Sequence, residues 1–131
     1  MERDALVKSL IVFGGAGVGA NLRYWIGGAI QSRVGPEFPW GTFVINVTGS
    51  LLIGLVMGVL LQSTAPPWWR LLVVVGMLGG YTTFSSFSLE TLNLLQVKAY
   101  APAFGYVFGS CAASFVGTWI GLSCARAITR T

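Results

Sequence analysis

Residues 79–90 read GGYTTFSSFSLE: two adjacent glycines, five Ser/Thr hydroxyls, a tyrosine, a carboxylate, and two phenylalanines three positions apart. The stretch sits inside one of the most apolar parts of a very apolar chain. What so many polar groups do there depends on the solvent around them.

The rest of the chain identifies that solvent. Of its 131 residues, 54% are apolar and 9% charged, and the mean hydropathy is +0.74. Soluble domains carry roughly 25% charged residues, so this chain cannot cover its surface in water. It reads as an all-α integral membrane protein, long enough for one domain. Eight basic and four acidic residues give a net charge of +4; they are spread singly, with no basic run to suggest nucleic acid as a partner. Histidine is absent, which removes the commonest metal ligand and neutral-pH acid–base group; no enzymatic activity is expected. Cys111 and Cys124 fall in one apolar segment. On a helix they stand about 20 Å apart, beyond disulfide reach, and are read as buried small hydrophobes. The opening MERDALVKSL runs into apolar sequence without an early A-x-A-type site. It reads as the start of a first membrane helix rather than a removed signal peptide.

Charges and prolines divide the chain into apolar blocks at 5–30, 40–61, 68–95 and 101–125. Each reaches the roughly 20 residues that span a bilayer as helix. The linkers QSRVGPEFP and QSTAPP are too short to fold, so residues 1–131 form a single four-helix membrane domain with both termini on one side. Arg3, Lys8, Arg70, Arg126 and Arg130 fall on that side, and Arg33 and Lys98 on the other. The positive-inside rule would place the termini in the cytoplasm, although five against two is a small bias.

Glycines recur at small-xxx-small spacing: Gly15/Gly19, Gly54/Gly58, Gly105/Gly109 and Gly117/Gly121. In lipid, small residues let helix backbones approach and pack. Four short helices leave little room for an internal pathway, which points to an oligomer. GAGVGA at 15–20 fits a dinucleotide fingerprint, but that motif needs a preceding strand and a βαβ unit; helix packing accounts for it better.

Polar side chains within a span are expensive and therefore functional candidates. Thr42, Asn46 and Ser50 recur every fourth residue in the second block, as do Tyr106, Ser110, Ser114 and Thr118 in the fourth. Such spacing draws a stripe along one helix face. Hydroxyls and an amide without full charges suit a small ion stripped of water, because hydroxyls rotate to donate or accept. Glu90, near the end of the third block, is either a structural group bonded to a neighbouring helix or a titratable carboxylate. Arg23 has no acidic residue in its own block; it either snorkels to the interface or faces a vestibule and attracts anions. A Gly-Gly pair before β-branched Thr82 and Thr83 is poor helix interior, so the third helix is expected to break mid-membrane. Irregular backbone at that depth survives where it is buried or lines a cavity, and its carbonyls are hard oxygen ligands of the kind that hold Na⁺ in broken helices. Phe84 and Phe87 share a face beyond the break; they are either core packing or, because a ring edge is the positive end of its quadrupole, a pair that favours an anion.

GGAGVGANLRYW (14–25), GTFVINVTGSLLIG (41–54) and GMLGGYTTFSSFSLE (76–90) resemble the motifs of the Fluc (CrcB-type) fluoride channels, over essentially the whole chain and in order. The resemblance implies an antiparallel dual-topology homodimer of four-helix subunits in the cell (inner or plasma) membrane. Two fluoride pores conduct passively and export F⁻ that accumulates when HF crosses the membrane and dissociates. It further implies one structural Na⁺ at the two-fold axis, held by the backbone carbonyls of Gly79 and Thr82. Phe84 and Phe87 meet fluoride with their ring edges near Asn46; Tyr106, Ser110 and Ser114 form the polar track; Arg23 lines the vestibule. Thr42, Ser85 and Ser88 join the pathway as hydroxyl donors. Tyr81 before Thr82, and Ser86 in a slot often filled by threonine, depart from the family pattern. Two rivals fit less well. A small multidrug exporter needs a first-span carboxylate, absent from 5–30, and a non-transporting membrane subunit leaves the polar stripes unexplained.

Overall fold

The structure, a computed structural model, describes residues 2–129; Arg130, counted above in the charge bias, lies outside them. It is all helical. Glu2–Val34, Trp40–Leu60, Arg70–Gln96 and Tyr100–Thr129 are each long and apolar enough to cross a membrane. Helix α1 (Glu2–Val34) and α2 (Trp40–Leu60) come first. The third span is composite: a π-helical stretch, Arg70–Leu78, a short turn α3 (Gly79–Tyr81), and α4 (Phe84–Gln96). Helix α5 (Tyr100–Thr129) closes the bundle. The 21 residues of α2 rise about 30 Å, the hydrocarbon thickness of a bilayer, whereas α1 and α5 overrun their apolar blocks into charged ends.

Local chemistry sets the ends. Helix α1 stops where Gly35 takes a positive φ of 90° and its N–H returns to the Gln31 carbonyl at 3.1 Å, a glycine cap. Pro36 and Pro39 then delay the next helix until Trp40. Helix α4 ends in a Schellman turn: Ala99 N–H reaches the Leu94 carbonyl (2.9 Å) and Lys98 N–H that of Leu95 (3.0 Å). Lys98 holds the left-handed position at φ 60°, where glycine is the usual occupant.

The core is built largely from the absence of side chains. The largest fully buried side chains are Ile45 and Tyr106. A Cβ at Gly15 would run into the Leu72 carbonyl, and one at Gly19 into that of Met77; these glycines set α1 directly on the third span. A methyl at Gly54 would meet the Thr118 carbonyl, and one at Gly121 the Leu51 carbonyl, so α2 and α5 are equally close. The Gly105/Gly109 pair differs. Gly105 has open space, and Gly109 only the Phe43 ring at 3.7 Å.

Outward stand Phe13, Phe84, Phe108, Phe115 and Trp119, the surface of a chain solvated by lipid. Cys111 and Cys124 are free and exposed on it. That corrects their reading as buried hydrophobes: the solvent is itself apolar, so a small apolar thiol has no need of the core.

Candidate functional site

Between α3 and α4 the backbone leaves helical geometry for two residues. Thr82 has φ −78°, ψ 160° and Thr83 φ −151°, ψ 122°. Unpaired backbone groups away from water cost several kcal/mol each, about 2–7, so their partners carry the argument. Thr82 turns N–H and Oγ1 back to the Leu78 carbonyl, both at 3.1 Å. Thr83 is held from α2: its N–H donates to Asn46 Oδ1 (2.8 Å), and its carbonyl accepts from Asn46 Nδ2 (3.0 Å). One carboxamide thus does for Thr83 what a neighbouring strand would do. The Thr83 hydroxyl accepts the Ser86 N–H at 3.2 Å and caps α4.

The carbonyls at the break leave the helical ladder as a result, those of Gly79 and Thr82 among them. The N–H that would close on Gly79 is turned to Asn46, and the one that would close on Thr82 is turned to the cap. Both are hard oxygen donors suited to a hard cation. Among the described residues no cluster of His, Cys, Asp and Glu offers an alternative metal site. Backbone carbonyls are oxygens of the kind Na⁺ takes, but two of them fall short of a full shell. Arg23 Nη1 also donates to the Thr82 carbonyl at 3.2 Å. Its guanidinium therefore turns toward the third span.

A cleft of about 330 Å³ opens beside Thr83, lined among others by Asn46, Phe84, Phe87, Ser110 and Ser114. The two stripes meet here. The Phe84 and Phe87 ring centroids are 5.6 Å apart, and Phe87 lies 5.0 Å from Tyr106. Phe84 is 79% exposed on the subunit surface. Ser110 is 5% exposed, and its hydroxyl is the one buried side-chain polar atom among the described residues without a hydrogen-bond partner. Asn46 has one amide hydrogen committed to Thr83 and a second available. A wall of hydroxyls, an amide and aromatic rings with no acid in it suits a small anion that needs donors at close range.

At the far end, Glu90 accepts from Thr42 Oγ1 (2.8 Å) and Tyr106 Oη (2.7 Å). The carboxylate ties the first members of both stripes together, the structural alternative of its sequence reading. A second cleft, about 380 Å³, holds Arg23, Thr42, Ser86 and Glu90. Ser85 Oγ lies 3.3 Å from the Thr83 hydroxyl, Ser88 bonds back to the Phe84 carbonyl at 2.9 Å, and neither lines the first cleft. Thr118 donates to the Ser50 carbonyl at 3.0 Å; the last member of its stripe is a helix–helix contact.

Two residues emerge that sequence reading passed over or left without a role. Tyr81 is buried, its hydroxyl 3.0 Å from Thr48 Oγ1 and its ring against the site where Gly49 lacks a Cβ. Gln31 bonds three backbone groups of the α1–α2 connection. Nothing in its surroundings along the chain marks it, because those groups converge only after Gly35 turns the chain.

Comparison with known proteins adds an independent line. Residues 10–122 match the family described as CrcB-like protein, Camphor Resistance (CrcB). A protein of Solibacter usitatus named fluoride-specific ion channel FluC is 45% identical, over 92% of this chain and 99% of the relative. Proteins of the same name from Methylobacterium nodulans and Novosphingobium aromaticivorans are 43% and 47% identical, over 92% and 87% of this chain and 98% and 92% of theirs.

Proposed function

The chain belongs to the CrcB-like family, and on that premise we propose that it is a passive, fluoride-selective channel, not an enzyme, in the cell membrane. The observation that carries this is the cleft where Asn46, Phe87 and the unpartnered Ser110 hydroxyl converge. Fluoride holds its water tightly, and a path must replace that shell with donors. The second Asn46 amide hydrogen, the Ser110 and Ser114 hydroxyls and the Phe84 and Phe87 edges supply them. Arg23 concentrates the anion at the entrance, and Thr42, Ser85, Ser88 and Tyr106 extend the run of hydroxyls. Conduction needs no coupled ion, so accumulated fluoride leaves down its gradient.

In this reading the extended pair Thr82–Thr83 lies at membrane depth as a break in the third helix. One Na⁺ binds the Gly79 and Thr82 carbonyls as a structural ion. The remaining oxygens come from a second, antiparallel copy, which makes the functional unit a dual-topology homodimer with two pores. The exposed Phe84 ring and the open Gly105 surface leave room for that copy.

Fluoride release from loaded liposomes, read with an ion-selective electrode and with chloride as control, tests the function. Fast fluoride release without chloride leak is expected. Silence from a well-folded, Na⁺-replete preparation would remove it.

A further inference from the structure

The α1–α2 connection, residues 35–39, is short and proline-rich and lies over one end of the polar stripes. Gln31 fastens it. Its Nε2 donates to the carbonyls of Gly35 (2.5 Å) and Phe38 (3.0 Å), and its Oε1 accepts the Gly41 N–H (3.0 Å). Both amide hydrogens and the acceptor are thereby engaged, so Gln31 offers an ion nothing directly.

The Phe38 ring it holds meets Tyr106 edge-on, centroids 5.3 Å apart at 81°, and Trp40 and Phe43 close around it. Tyr106 is fully buried and donates to Glu90, which also receives Thr42. A further cleft of about 390 Å³, bounded by Pro36, Pro39, Asn93 and Val97, shares two lining residues with the Arg23 cleft: Gln31 and Glu90.

We infer that Gln31 is a positioning residue for permeation: by pinning the 35–39 connection it keeps Phe38 against Tyr106, and so holds the Tyr106–Glu90–Thr42 junction where the two clefts meet. The inference rests on the channel reading and adds a residue with no direct contact to the ion. It requires that Gln31 act through Phe38 rather than beside it.

The test uses full-length protein in liposomes with Gln31→Leu, Gln31→Glu and Phe38→Leu, alone and combined. Amide hydrogen exchange over residues 35–41 reads the fastening directly. Gln31→Leu removes all three bonds; Gln31→Glu keeps the acceptor for Gly41 and loses both donors. Faster exchange is expected in both, with fluoride release down about tenfold, the size of one lost contact in a barrier. Phe38→Leu should add little on top of either, since residues acting in series are not additive. Wild-type release in both Gln31 variants, unchanged exchange, or full additivity with Phe38→Leu would each overturn the inference while the channel reading stood. A wild-type protein that releases no fluoride would overturn both together.

Discussion

Asn46 holds Thr83 and, in the proposed channel, also meets the ion, and the two roles are separable. Its carboxamide pairs both backbone groups of Thr83 and keeps one hydrogen for the cleft. Asn46→Leu strands a donor and an acceptor, each worth about 1–3 kcal/mol when left unpaired. The protein should melt several degrees lower and release little fluoride. Asn46→Asp keeps the acceptor for the Thr83 N–H and should fall between in stability; equal melting of all three would mean the pairing does not hold Thr83. The phenylalanines separate differently. Phe84 is exposed and Phe87 half-buried, so Phe84→Ile should leave stability nearly unchanged and Phe87→Ile lower it. Both should cut fluoride release by roughly tenfold or more, the cost of one favourable edge contact in the barrier. Unchanged release in both variants would remove the aromatic role.

Among the elements, glycine spacing was legible in advance, but which glycines touch was not. Four pairs share one motif, yet a Cβ at Gly19 collides with backbone while one at Gly105 meets nothing, as does one at Gly14 outside the pairs. Backbone cannot yield as a side-chain tip can, so Gly19→Val should force α1 off the third span. Thermal melting or detergent resistance should show a loss above about 2 kcal/mol, in the range of overpacking, with Gly14→Ala neutral. A stable Gly19→Val protein would show that α1 is not seated on Met77. The polar stripes were likewise readable as periodicity. Their division was decided by neighbours: Thr118 donates to the Ser50 carbonyl, whereas Ser110, earlier on the same stripe, lines a cleft.

For the whole molecule, one subunit presents the carbonyls of the Thr82–Thr83 break, turned out of the helical ladder, and a large apolar surface. In the proposed dimer, Na⁺ joins the copies, so its removal should loosen both ion site and assembly. A ligand at a hundred times its dissociation constant adds about 2.7 kcal/mol to stability. Exchanging Na⁺ for a bulky organic cation should lower the melting temperature accordingly, with the subunits separating more readily. Indifference to the exchange would argue against the site. Charge gives orientation little help. Lys8 is paired with Asp4 at 2.6 Å, the one salt bridge among the described residues, which weakens an already small bias toward one topology.

Solvent, helical class, number of spans and family are all legible in the linear chain. Those follow from composition, from the length of each apolar block and from motifs contiguous in the chain. Asn46 and Arg23 were also readable there, as residue types out of keeping with lipid, and Phe84 and Phe87 through the family motif. Their partners come from the folded arrangement alone. Asn46 meets Thr83 across 37 positions and Arg23 meets Thr82 across 59; Gln31 gains its role from a connection folded back by Gly35. Hydrogen bonds act over about 3 Å, so their partners are fixed by how closely glycine lets the helices approach, a distance the linear chain does not contain.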